Sequence, residues 1–160
     1  MSRVQLALRV SDLAGSIAFY RSLFGVEPAK RRPGYANFVV ADPPLKLVLI
    51  EGDPGRTTVL DHLGVEVGTT DEVRSATARL GELGLLTTVE DDTTCCYAVQ
   101  DKVWVHGPGA EPWEVYTVKA DAPNIQPPGD CACGPGESPW RSPNLADTGA
   151  EKDGSDTSVR

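Results

Sequence analysis

This chain reads twice through one order of elements, and that repetition constrains its fold more than any other feature. Val4 to Val10 reads as a strand, and Ser11 or Asp12 is placed to cap the helix that follows. That helix carries Leu13, Ile17, Tyr20, Leu23 and Phe24 near one face and stops at Gly25. An extended stretch lies around Val26 to Arg32. Two apolar runs come next, Tyr35 to Ala41 and Leu45 to Glu51, divided by the turn signal Asp42-Pro43-Pro44. The second pass opens with a strand at His62 to Val67. Gly68-Thr69-Thr70-Asp71 leads into a helix bearing Val73, Ala76, Leu80 and Leu83, which ends at Gly84. Strands near Leu85 to Glu90, Cys95 to His106 (with a break at Gln100-Asp101) and Trp113 to Val118 complete it. The two opening strands share a cadence, Gln5-Leu6-Ala7-Leu8-Arg9-Val10 against His62-Leu63-Gly64-Val65-Glu66-Val67. Such a repeat implies two paired modules with a cleft between them.

The modules span about residues 3–52 and 60–118 and form one domain over 1–118. From residue 119 to Arg160 the composition turns to Pro, Gly, Asp and Ser with few large apolar side chains, which reads as a mobile tail. A net charge of −8 argues against a nucleic-acid or anionic-membrane partner, because neither attracts a generally acidic surface. No apolar run is long enough for a membrane span. The opening residues lack the charged region and apolar core of a secretory signal, so a cytoplasmic location is the expectation.

Strand alternation points to a candidate metal site. Gln5, Ala7 and Arg9 share one face of the first strand, and His62, Gly64 and Glu66 share one face of its counterpart. The opposite, apolar faces pack on the helices, so Gln5 and His62 point into the cleft. Glu114 and Tyr116 share a face in the last strand, and Gln5, His62 and Glu114 are placed to converge as oxygen, nitrogen and carboxylate ligands. The same residues also read as a hydrogen-bonded structural histidine and a solvated edge glutamate.

All four cysteines come in close pairs, Cys95/Cys96 and Cys131/Cys133, which is poor spacing for a disulfide framework and better suited to metal or redox chemistry. Neighbouring α-carbons lie about 3.8 Å apart, shorter than ordinary disulfide geometry wants, so Cys95 and Cys96 read as two thiols. Paired thiolates suit a soft, thiophilic centre. The alternative is two small hydrophobes buried in a strand. In a regular strand adjacent side chains point to opposite faces, so chelation by both sulfurs requires a bulge, a loop or a strand end within Thr94 to Tyr97. Cys131-Ala132-Cys133, flanked by glycines, reads as a flexible soft-metal hook or as an incidental pair on the tail.

The phrase Leu8-Arg9-Val10-Ser11-Asp12-Leu13, then Ser16-Ile17, Phe19-Tyr20 and Leu23-Phe24-Gly25, resembles the glyoxalase/bleomycin-resistance family of the vicinal-oxygen-chelate superfamily over about residues 3 to 118. The resemblance implies an α+β fold of two paired βαβββ modules, with modules paired within one chain or between chains of a homodimer. It implies metal ligands at Gln5, His62 and Glu114. A fourth ligand of the kind glyoxalase I uses is missing, since the likely counterpart near Leu47 or Leu49 is apolar. Three ligands on one side leave open coordination positions, as suits O2 and substrate on iron(II).

With Cys95-Cys96 and Cys131-x-Cys133, the chain resembles the arsenic- and cadmium-inducible subfamily, which includes the ArsI-type organoarsenical carbon–arsenic lyases and the cadmium-induced proteins. What this implies is an Fe(II)-dependent dioxygenase, with O2 as co-substrate, that cleaves the carbon–arsenic bond of a trivalent organoarsenical held by Cys95 and Cys96, with Cys131 and Cys133 as a capture site. The competing expectation is a protein that sequesters cadmium or arsenite through its cysteines without turnover. Arg9, Tyr97 and Lys102 are candidate substrate contacts, and His106 is expected at a strand end.

Overall fold

The structure, a computed structural model, describes residues 2–123. Cys131, Cys133 and most of the expected tail lie outside the described residues.

One eight-stranded sheet and two helices follow the order β1 (Arg3–Val10), α1 (Leu13–Phe24), β2 (Lys30–Arg32), β3 (Tyr35–Val40), β4 (Leu45–Glu51), β5 (Val59–Glu66), α2 (Thr70–Glu82), β6 (Thr87–Cys95), β7 (Ala98–His106) and β8 (Pro112–Asp121). The spatial order is β2-β3-β4-β1-β5-β8-β7-β6, so the two βαβββ modules meet where β1 and β5 pair antiparallel. Within the modules β1 runs parallel to β4, and β5 runs parallel to β8. The repeat seen in the sequence is therefore a two-fold in the sheet. Ala7 lies opposite His62 and Gln5 opposite Gly64, as an exchange of Gln5 with His62 demands.

The helices begin and end where side-chain chemistry dictates. Asp12 caps α1 by accepting from the Gly15 N–H at 2.8 Å, and Gly25 closes it at φ 66°, a left-handed conformation that glycine adopts without steric cost. Thr69 caps α2, and Glu72 reaches back to the Gly68 N–H at 2.8 Å. Ile17 of α1 is buried against Phe38, Leu47 and Leu49, while Val73 and Leu80 of α2 are buried with Val103. Each such side chain contributes about 1.5–3 kcal/mol by leaving water.

The opposite face of the sheet is concave and carries a third cluster. There Ala7, Tyr35, Val48 and Ile50 of the first module pack against Cys95 and Tyr97 of the second. The contact requires the β6–β7 hairpin to bend across the cleft, and two bulges account for the bend. Asp91 and Asp92 stand opposite Asp101 on one side, and Lys119 is the extra residue on the other. A bulge inserts a residue on one strand, bends it and increases its twist. Asp101 secures both. Its carboxylate accepts the Asp92 N–H at 2.8 Å and the Lys119 ammonium at 3.2 Å, and also takes the Thr70 hydroxyl at the start of α2.

The break expected at Gln100-Asp101 is thus a bulge in a continuous strand. A strand expected to run from Cys95 into β7 is instead divided by a turn at Cys96-Tyr97, and β6 continues to Cys95. The last strand extends to Asp121, three residues past Val118. Among the described residues no helix is long and apolar enough to cross a membrane.

Candidate active site

Gln5, His62 and Glu114 come together on the concave face at the junction of the two modules. Gln5 Nε2 lies 3.0 Å from His62 Nε2 and 2.7 Å from Glu114 Oε1, and the latter two atoms are 3.3 Å apart. All three residues are buried, with 2–4 % of their surface exposed. Donors at about 2.1 Å from a metal and at right angles to one another sit about 3 Å apart, so these separations match one face of a coordination sphere. Among the described residues no group of three or more His, Cys, Asp or Glu is placed to hold a metal; this cluster reaches three donors by the Gln5 amide.

Gly64 makes the convergence feasible. It lies between Gln5 on β1 and Glu114 on β8 in the sheet register, and a Cβ there would stand 3.1 Å from Glu114 Cγ and 3.3 Å from Gln5 Nε2. The glycine leaves room for the Gln5 and Glu114 side chains where any other residue would push them apart.

The electrostatics favour a cation at His62 Nε2. Burial alone would lower the histidine's pKa, but the carboxylates of Asp61 and Glu114 outweigh it and raise it to about 9. Asp61 accepts from His62 Nδ1 at 2.7 Å and is held by Arg9 Nε at 2.5 Å, leaving Nε2 directed at the cluster. Glu114 is held well below the usual carboxylate range: burial opposes this, and the Lys102 ammonium, with His62, overcomes it. Lys102 is itself buried, donates to Glu114 Oε2 at 2.8 Å and lies 5.2 Å from the Trp104 ring centroid. Glu114 thus offers Oε1 to the cluster while its second oxygen is occupied. An amide, an imidazole and a carboxylate are donor types that a divalent cation takes, the amide through its oxygen, which here accepts from Tyr116 while its nitrogen faces the cluster.

The vicinal cysteines sit at the tip of the β6–β7 hairpin. Cys95 pairs with Ala98 in the ladder, while Cys96 and Tyr97 form the two-residue turn with φ of 53° and 62°. The turn breaks strand alternation, and the two sulfurs lie 3.4 Å apart, the geometry that bidentate binding requires. Cys95 is disulfide-bonded, and the separation shows that Cys96 is not its partner, so binding through both sulfurs requires reduction first. Cys96 packs on the cluster of Ala7, Tyr35 and Val48 and faces the charges of Lys102 and Glu114. Burial pushes its thiol up to about 12, with Lys102 opposing.

The remaining expectations divide. Arg9 pairs with Asp61, and Tyr97 donates to the Pro33 carbonyl at 2.9 Å with its ring 5.7 Å from Tyr35, so both act as supports. His106 ends β7, as expected. The first-module counterpart of Glu114 is Val48, which the parallel registers place opposite Ala7 as Glu114 is opposite Gly64. Leu47 and Leu49 face α1 instead. The position is apolar either way, and β4 offers no fourth ligand there.

Sequence reading missed Asp61, because alternation places it on the face opposite His62. A bulge undoes the alternation: Ala7 pairs with His62 and Leu8 with Leu60, and Asp61 is the extra residue. A carboxylate adjoining a candidate ligand histidine was the available signal.

The family model for the Glyoxalase/Bleomycin resistance protein/Dioxygenase superfamily matches residues 3–115. The chain is 65% identical over 133 residues to a "Trivalent organoarsenical cleaving enzyme" of Thermomonospora curvata, covering 83% of this chain and 88% of that protein. It is equally 65% identical over 122 residues to the "Cadmium-induced protein CadI" of Mycobacterium bovis, covering 76% of this chain and 80% of the other. Its fold is similar to that of an extradiol ring-cleaving dioxygenase from B. fuscum, with a TM-score of 0.54 and 24% identity over 75% of this chain and 33% of that one.

Proposed function

The chain belongs to the Glyoxalase/Bleomycin resistance protein/Dioxygenase superfamily, and we propose that within it the protein is an iron(II)- and O2-dependent enzyme that cleaves the carbon–arsenic bond of trivalent organoarsenicals. One observation carries this reading: a hairpin turn presents two sulfurs 3.4 Å apart toward the face on which Gln5, His62 and Glu114 converge. The name of the T. curvata relative, at 65% identity, supports the same substrate class.

Gln5, His62 and Glu114 would hold iron(II), which when bound would supply redox chemistry with O2. Cys95 and Cys96, once reduced, bind the substrate. A trivalent organoarsenical, R–As(OH)2, exchanges its two hydroxyls for two sulfurs, and each thiol proton leaves with one hydroxyl as water. Because Cys96 holds its proton at neutral pH, it brings the proton that its leaving hydroxyl needs. Lys102 keeps one oxygen of Glu114 fixed and sets a positive charge beside Cys96. Asp61 holds the His62 ring in the tautomer that leaves Nε2 for the cation. Tyr97 and Tyr35 wall the arsenical from water on the first-module side. The products of this reading are inorganic arsenite and the oxidised organic group.

Reduced, anaerobically iron-loaded protein is mixed with methylarsenite, O2 is admitted, and arsenite release is followed for wild type, Cys95→Ala/Cys96→Ala and His62→Ala. Release that needs iron and O2 and drops at least about 100-fold in both variants is the expected result. The equal likeness to a cadmium-induced protein favours one second reading, sequestration of cadmium or arsenite without turnover. Tight binding with no release from wild type would establish that reading instead.

A further inference from the structure

We infer that Tyr116 and Glu66 are positioning residues that turn the oxygen of the Gln5 amide toward the metal, an inference that rests on the metal site proposed above. The observation is a shortage of hydrogens. Tyr116 has one hydroxyl proton, yet its oxygen lies within bonding distance of two acceptors, Gln5 Oε1 and Glu66 Oε2, the latter at 2.9 Å. Glu66 has no proton to share, because it is ion-paired with Lys46 at 2.9 Å and Arg3 at 3.1 Å. Lys46 already donates to that Glu66 oxygen, so if Tyr116 gives its proton to Gln5, the phenol and carboxylate oxygens meet at 2.9 Å with no hydrogen between them, while the amide nitrogen faces His62 and Glu114.

A half-turn of the Gln5 amide removes the conflict. The oxygen and nitrogen of an amide exchange places with almost no change of shape. Gln5 Nε2 then donates to the Tyr116 oxygen, and Tyr116 donates its proton to Glu66. The chain of bonds then runs one way, from Gln5 through Tyr116 to the Arg3–Glu66–Lys46 ion pairs. The amide oxygen now faces His62 Nε2 and Glu114 Oε1. Three electron-rich atoms about 3 Å apart suit a cation placed among them, so this is the orientation that can hold a metal. An amide is a ligand only through its oxygen. Unlike a carboxylate, Gln5 needs a neighbour that tells it which way to point.

Lys46 joins the arrangement from the first module. Its ammonium lies 5.0 Å from the Tyr116 ring centroid and is paired with Glu66, so β4 contributes a support where it contributes no ligand. The pair Tyr116 and Glu66 face each other across parallel strands, in direct register.

The test uses cobalt(II) as an oxygen-stable probe of the metal site, read by visible absorption and calorimetry without O2. Wild type, Tyr116→Phe, Gln5→Glu and the double variant are compared, with His62→Ala as the site control and metal-free thermal midpoints as the fold control. Tyr116→Phe is expected to weaken cobalt binding about tenfold or more in the natural chain. In the Gln5→Glu background, where both terminal oxygens are equivalent, the same change is expected to cost no more than about threefold. Glu66→Gln, which lets that side chain donate and turns the phenol proton back toward Gln5, is expected to weaken binding like Tyr116→Phe. Equal losses in both backgrounds, or no loss in the natural chain, would overturn the inference while wild type and His62→Ala still report a working metal site. A wild type that binds no cobalt, or a His62→Ala variant that binds as well, would overturn the metal site itself and the inference with it.

Discussion

Cys96 and Tyr97 both hold a backbone conformation that L-residues disfavour, with φ of 53° and 62°. A left-handed residue other than glycine costs roughly 1–2 kcal/mol, and hairpin turns of this form favour Asn-Gly. The cysteine and tyrosine are kept at that cost because the turn brings two sulfurs to the same side and sends the ring of Tyr97 onto Tyr35. Strain at such a position is a reason to look for function there. The thiol's environment makes a direct prediction. Burial raises the Cys96 pKa to about 12, so the thiolate fraction rises tenfold per pH unit throughout the range in which an ordinary thiol levels off. Alkylation of Cys96 by iodoacetamide in the reduced protein, followed by mass spectrometry, is expected to accelerate without a plateau from pH 7 to 10. A plateau near pH 9 would mean that the thiol is as hydrated as a free one.

At the scale of elements, Asp101 decides how the β6–β7 hairpin lies. Its carboxylate binds the backbone at the Asp92 bulge, the Lys119 bulge residue and the N-terminal turn of α2 through Thr70. Burial alone would raise its pKa, but the Asp92 N–H, Thr70 and Lys119 outweigh it and hold it below the ordinary carboxylate value. A folded-state pKa below the unfolded one contributes stability above the unfolded value of about 3.9, and the contribution is lost as pH falls through the folded value. Asp101→Asn is therefore expected to cost about 1.5–3 kcal/mol at pH 7. The gap to wild type should shrink as pH falls below about 4. Urea denaturation of both proteins from pH 2 to 7 measures this, and a gap that stays constant with pH would assign the loss to packing rather than to the charge. The same hairpin shows where sequence reading stops. Strand parity placed Gln5, His62 and Glu114 on one face because β1, β5 and β8 are regular there, and the caps at Asp12 and Thr69 were legible from residue type. Bulges at Asp61 and Asp92 interrupt that parity; the second was legible only as a break at Gln100-Asp101, and no residue type marks the first. The Cys96-Tyr97 turn lacks glycine, asparagine and proline, so it read as strand. The Lys102–Glu114 and Tyr116–Gln5 contacts join separate strands, and their partners follow only from register.

In the whole molecule the two modules are related by a two-fold, but the site uses it unevenly. Gln5 and His62 occupy equivalent places, whereas Glu114 has Val48 as its counterpart, so two of the proposed ligands come one from each module and the third has no partner under the two-fold. The sulfurs reach this site because the far hairpin crosses the cleft and is clasped to the first module. Tyr97 donates to the Pro33 carbonyl at 2.9 Å, Lys30 donates to the Tyr97 carbonyl at 3.2 Å, and Tyr35 and Tyr97 pack ring to ring. The hydroxyl bond contributes about 1 kcal/mol and the aromatic pair about 0.5–1.5 kcal/mol beyond burial, which is enough to set how often the tip opens. Tyr97→Gly keeps the positive φ without steric cost and removes the ring, so it separates the clasp from the turn. The variant is expected to exchange backbone hydrogens at residues 95–98 about 10–100-fold faster and to bind phenylarsenite about tenfold more weakly, while cobalt(II) affinity stays within about twofold of wild type. Hydrogen exchange by mass spectrometry and the two titrations on the same reduced samples supply the three readings. Faster exchange with unchanged arsenical binding would show that the sulfurs work as a local pair and need no support from the first module. Loss of cobalt affinity as well would show that the clasp shapes the metal site and the thiol site together.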